Sequence, residues 1–147
     1  MADLSSTGQK IARGVGRHLA RLNFASLEEF VPHRGLRVDL IAIGPKSEIW
    51  IIECKSGRAD FMADKKWQGY LDYCDSFFWA VDIQFPTNIL PNDGGLIVAD
   101  AFDAEILRFP EGKTLNAARR KKLIHKFGRD AAMRLRSLRD PDFPYGY

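Results

Sequence analysis

Apolar residues recur along this chain first with a helical period and then with a strand period. Ile11, Val15, Leu19 and Leu22 share one side of a helix predicted over residues 8–22, with Ser5-Ser6-Thr7 before it as caps. The opposite side carries Lys10, Arg13, Arg17 and Arg21 and no acid. Gly14 and Gly16 weaken such a helix, so either packing stabilises it or another backbone approaches closely there. Residues 24–31 read as a strand that Pro32 breaks. A turn through His33-Arg34-Gly35 then leads into a strand over 36–43, and Gly44-Pro45-Lys46-Ser47 returns the chain into a strand over 48–54. So short a connection predicts antiparallel partners. Side chains alternate along a strand, which puts Glu53 and Lys55 on one face.

Beyond Ser56-Gly57, Asp60 is a cap for a helix over 60–73 with Phe61, Trp67, Leu71 and Cys74 as its apolar stripe. Three more strands are expected over 76–81, 95–99 and 105–109, the second preceded by the turn residues Asn92-Asp93-Gly94-Gly95. Asn116 or Thr114 opens a last helix whose core stripe is Ala117, Ile124, Phe127, Ala131, Leu135 and Leu138, with Gly128 as a point of division. Residues 141–147 read as an irregular tail. This order predicts a mixed sheet flanked by helices, of the α/β or α+β kind.

The 147 residues, 46% of them hydrophobic, predict one domain spanning 1–147. No apolar run approaches the roughly 20 residues that span a bilayer, and the first residues lack a leader pattern. A soluble, cytoplasmic protein with no membrane partner is expected. Cys54 and Cys74 have neither metal-knuckle nor disulfide spacing and read as packing thiols, and His18, His33 and His125 show no ligand spacing. Trp50, Trp67 and Trp79 fall in apolar patterns and read as core. The net charge of +3 is unevenly distributed. From Lys113 onward ten basic residues face three acidic ones, a local +7 that leaves −4 on residues 1–112. Such a segment predicts an anionic partner, DNA first. Arg119, Arg120, Lys121, Lys122 and Lys126, then Arg13 and Arg17 of the first helix, are the expected phosphate contacts, and contacts of that kind position without reading sequence.

The candidate chemistry lies in the hairpin. Asp39 stands in one strand and Glu53 near the end of the next, so antiparallel pairing brings two carboxylates together. Mg²⁺ is commonly held by one or two protein carboxylates, waters and substrate phosphate. The backbone carbonyl of Cys54 adds an oxygen, and Lys55 is available to orient a water or to offset charge developing on a phosphate. These residue types fit metal-assisted hydrolysis of a phosphodiester.

Val38-Asp39 followed by Glu53-Cys54-Lys55 resembles the core of the PD-(D/E)XK nucleases, which include type II restriction enzymes, Holliday-junction resolvases and RecB-type nucleases. Residues 37–79, with Glu-Cys-Lys-Ser and Lys-Trp-Gln-Gly-Tyr, are similar more narrowly to the MmcB-like bacterial DNA-repair proteins. The resemblance implies a restriction-endonuclease-like α/β core. It also implies Mg²⁺ or Mn²⁺ on Asp39 and Glu53, water activation by Lys55, and Gln68 beside the site. Two departures stand out. Val38 replaces the signature Pro, and the first helix lacks the Glu with which many members complete the metal site. Glu28 or Glu29 is the substitute within reach, and strand alternation allows only one of them. The implied activity is that of a repair-associated DNA nuclease, alone, as a homodimer or in a repair complex. The alternative is a DNA-binding repair accessory with the same fold and little or no cleavage.

Overall fold

The computed structural model describes residues 6–143. Residues 144–147 of the expected tail, and Ser5 of the expected cap, lie outside them. A six-stranded sheet in the order β1-β2-β3-β4-β5-β6 organises the fold: β1 Ala25–His33, β2 Leu36–Ile43, β3 Ile49–Lys55, β4 Ser76–Val81, β5 Gly95–Ala99 and β6 Ala104–Arg108. β3, β4 and β5 are parallel and the other pairings antiparallel, so the sheet is mixed. The α/β expectation therefore holds.

Helices cover both faces. On one face α1, Thr7–Arg21, buries Ile11, Val15 and Leu19 against Leu40, Ile52, Phe78 and Ile97. Its start is a capping box, Gln9 N–H donating to Ser6 Oγ and Ser6 N–H to Gln9 Oε1. Gly14 allows the approach that the sequence hinted at. A Cβ there would meet the carbonyl oxygens of Asp100 and Asp103, the latter at 2.6 Å. On the other face α3, Ala117–Arg139, packs Leu123, Ile124 and Phe127 into a core with Phe30, Ile51, Phe77 and Trp79. Asn116 caps it, accepting from Arg119 N–H at 2.8 Å.

Several expectations need correction. Pro32 does not end the first strand but lies inside β1, tolerated because an edge strand leaves one row of N–H groups without partners. The last strand begins one residue earlier than expected. Gly128 does not divide α3, which runs unbroken for 23 residues. Its expected stripe also ends early: Leu135 and Leu138 are 56% and 81% exposed, while Leu123, absent from that stripe, is buried. Residues 60–73 form no single helix. A short α2, Arg58–Ala63, and a 3₁₀ helix, Trp67–Tyr73, are separated by Asp64, Lys65 and Lys66. Asp60 is not the N-cap of α2, which is Gly57. Its carboxylate instead accepts from Ser56 N–H at 3.0 Å.

Candidate functional site

The β2–β3 ladder runs from Ile43 opposite Ile49 to Leu40 opposite Ile52 and stops there. Beyond it, side chains take over the backbone donors. Asp39 N–H donates to Glu53 Oε1 at 3.0 Å, and Cys54 N–H donates to Asp39 Oδ2 at 2.8 Å. Each carboxylate thus satisfies a donor of the neighbouring strand that the split would otherwise orphan. These two bonds hold the carboxyl groups side by side, and Glu53 is only 3% exposed. Two anions so close and so dry do not both ionise. Burial, and then the Asp39 charge, pushes Glu53 up to about 9. Burial also raises Asp39, against the opposing pull of Cys54 N–H and Glu53. The pair therefore retains a proton at neutral pH, which a bound cation would displace.

Lys55 shares this end of β3 and is buried, with Nζ 2.7 Å from Asp64 Oδ2. Burial alone would lower its pKa, but the bond to Asp64 and the surrounding carboxylates hold it above the usual lysine value. Asp64 is shifted the other way. Burial would raise it, yet Lys55 and the N–H groups of Lys66 and Trp67 keep it below the usual carboxylate range. Lys55 is thus a fixed ammonium. Tyr70, pushed up to about 12 by burial and the nearby carboxylates, keeps its proton and donates to the Arg37 carbonyl at 3.2 Å.

Asp39, Glu53 and Lys55 open into a cleft of about 540 Å³ whose rim carries Arg37, Lys65 and Lys66. It lies at the carboxyl end of the parallel strands, where open α/β sheets tend to bind ligands. Asp39 and Cys54 also line a second cleft of about 260 Å³ toward α1, together with Glu28 and Glu29. Alternation allowed only one of those glutamates, but Glu29 has a φ of 51°, which breaks the strand period, and both reach the cleft. Arg134 of α3 clamps the carbonyls of Glu28 and Glu29 at 2.5 and 3.0 Å. Among the described residues no group of three or more His, Cys, Asp or Glu side chains is placed to hold a metal ion. Asp39 and Glu53 offer two hard carboxylate oxygens, a set that Mg²⁺ could accept while keeping its waters and taking phosphate oxygens.

The remaining sequence candidates divide. Gln68 is exposed on the 3₁₀ helix and is not among the residues lining either cleft. Asp64 and Tyr70 take the places around Lys55 and Arg37. An Asp that accepts from N–H groups two and three residues further on is a common turn device, and it is the sequence signal that marks the break at Asp64. Arg120 is committed to Asp75 in a two-pronged pair of 2.5 and 2.7 Å, and Asp75 also caps Ile49 N–H and Leu115 N–H at 2.8 Å. Arg119 lies 4.7 Å over the Tyr73 ring, Lys126 pairs with Asp130 at 3.2 Å, and Lys121 and Lys122 are exposed. Arg13 is exposed, and Arg17 lies 6.0 Å over the Phe102 ring. Since α1 and α3 cover opposite faces, the two basic groups form separate surfaces. Cys54 and Cys74 are buried free thiols raised by burial, consistent with packing roles.

Fold and site together define an α/β protein in which half-buried Asp39 of β2 pairs with buried Glu53 beside a fixed lysine at the end of parallel strand β3. The chain belongs to the MmcB-like DNA-repair family, whose description, DNA repair protein MmcB-like, matches residues 2–142. Among solved structures it is similar to the SPO1766 protein of unknown function from Silicibacter pomeroyi, at 57% identity over 99% of each chain and a TM-score of 0.95. No curated protein matches it. Among the described residues, no helix is long and apolar enough to cross a membrane.

Proposed function

We propose that this DNA-repair family member is a metal-dependent DNA nuclease of the PD-(D/E)XK type. The observation that carries the reading is the carboxyl pair of half-buried Asp39 and buried Glu53, filling the split between β2 and β3 beside an ammonium fixed at 2.7 Å from its own counter-ion. Accepting from two orphaned N–H groups would not by itself require a pair of acids that must share a proton to coexist. Asp39 and Glu53, with the Cys54 carbonyl, would hold Mg²⁺ or Mn²⁺. Such an ion supplies a Lewis acid for the phosphoryl oxygen and a more acidic bound water. Lys55, kept protonated by Asp64, does not act as a base. It is a preorganised positive charge for the phosphate as negative charge develops on it. Arg37, Lys65 and Lys66 on the rim draw the backbone of the DNA toward the pair.

A second reading, a DNA-binding accessory that cleaves poorly, draws support from the engagement of Lys55 with Asp64, which leaves the ammonium fewer free donors for a water. Incubating labelled branched, nicked, mismatched and single-stranded DNA with Mg²⁺ or Mn²⁺ separates the two. Scission lost in both Asp39→Ala and Lys55→Ala supports the nuclease. Binding without scission on every substrate supports the accessory.

A further inference from the structure

A third concavity, of about 560 Å³, lies across the 3₁₀ helix from the carboxylate cleft, between α3 and the β1–β2 turn. That volume falls in the range of pockets that bury small organic groups. Along one α3 face Arg119, Lys122, Lys126 and Arg129 recur at helical spacing, spanning about 15 Å. Against these four cations stands one acid in the lining, Asp130, already paired with Lys126. Lys122 and Arg129 are exposed and have no acidic partner among the described residues. The opposite wall is aromatic. His33 and Tyr73 lie with ring centroids 5.9 Å apart, and the Arg119 guanidinium, tied to the Asp72 carbonyl at 2.9 Å, covers Tyr73.

Lines of cations opposite aromatic side chains recognise unpaired nucleotides, because cations follow the backbone while rings need a free base face. Duplex bases are already stacked and offer none to a concave wall. The groove and the cleft also border the same two elements. Tyr70 borders the cleft and Tyr73 the groove, three residues or about 6 Å apart along a 3₁₀ helix. Arg37 and His33 bracket the β1–β2 turn in the same way. We infer that the α3 groove binds a single-stranded DNA extension leaving the duplex held at the carboxylate cleft, with phosphates on Lys122 and Arg129 and a base against Tyr73 and His33. This deepens the nuclease reading and rests on it for the duplex, but the groove itself can be tested without cleavage.

The test is fluorescence anisotropy in EDTA, comparing a duplex bearing a labelled single-stranded extension with a blunt duplex of equal nucleotide number. The extended duplex is expected to bind more tightly. Tyr73→Ala should weaken its binding roughly five- to hundredfold, the range for losing one stacked base, and leave blunt-duplex binding unchanged. Lys122→Glu with Arg129→Glu, both exposed, should lower the salt dependence of extension binding by about one to two phosphates. A bromodeoxyuridine extension should crosslink to peptides containing Tyr73 or His33, a readout on wild-type protein that survives poor folding of Tyr73→Ala. Equal affinity for the two DNAs, undiminished binding in the charge variant, or crosslinks confined to other peptides would each overturn the inference. Groove binding kept while Mg²⁺ produces no scission would instead sink only the nuclease.

Discussion

Glu53→Gln should make the metal-free protein more stable, increasingly so as pH rises. Unfolded, Glu53 titrates near its ordinary 4.5; folded, it holds its proton to about 9 because burial and the Asp39 charge oppose ionisation. Between those values the folded state binds more protons than the unfolded one, so stability falls as pH increases. Each pH unit costs about 1.4 kcal/mol, so on the order of 5 kcal/mol is lost between about pH 4.5 and pH 8. Gln has the shape of the protonated acid. It can still accept from Asp39 N–H, and it never needs to ionise. Urea unfolding in EDTA across pH 5 to 9 measures this. The wild type should weaken steadily, and Glu53→Gln should match it near pH 5 and exceed it by several kcal/mol near pH 8. Mg²⁺ should restore the wild type alone. Parallel pH profiles for the two proteins would refute the reasoning, since they would mean that Glu53 ionises freely.

Asp64→Asn should cost about 3 to 5 kcal/mol in urea unfolding by leaving the buried Lys55 ammonium uncompensated, and Lys55→Gln added to it should recover part of that. With Asp64 shifted down and Lys55 up, the pair's contribution should be constant between about pH 4 and pH 10.5. It should be lost as pH falls through the Asp64 value or rises through the Lys55 value. Gly14→Ala should destabilise by about 2 to 3 kcal/mol in thermal or urea unfolding, as its methyl runs into the Asp100 and Asp103 carbonyls.

The strands were legible because short runs rich in Ile, Val, Phe and Trp are bounded by turns that carry Gly, Pro and Asn. The Asp39–Glu53 juxtaposition was legible because so short a connection between β2 and β3 forces antiparallel pairing. The split beyond Leu40 and Ile52 was not, because it arises from side chains replacing ladder hydrogen bonds, which no period records. The apolar stripe from Phe61 through Trp67 to Leu71 concealed the break at Asp64. All three residues do pack on the core, but from two short segments rather than one helix. Leu135 and Leu138 keep the spacing of a core stripe, yet few core residues lie beyond Phe127 for α3 to cover. Charge counting marked α3 as basic but could not see that Arg120 is held by Asp75 while Arg119 covers an aromatic ring.

The proposed nuclease requires above all that Asp39 and Glu53 share one cation. Calorimetric titration of Mn²⁺ into the protein near pH 7, repeated in buffers of different ionisation enthalpy, tests that most directly. The expected result is one ion per chain, with about one proton released from the carboxyl pair, and no binding by Asp39→Ala. Binding without proton release, or binding that Asp39→Ala leaves intact, would contradict it.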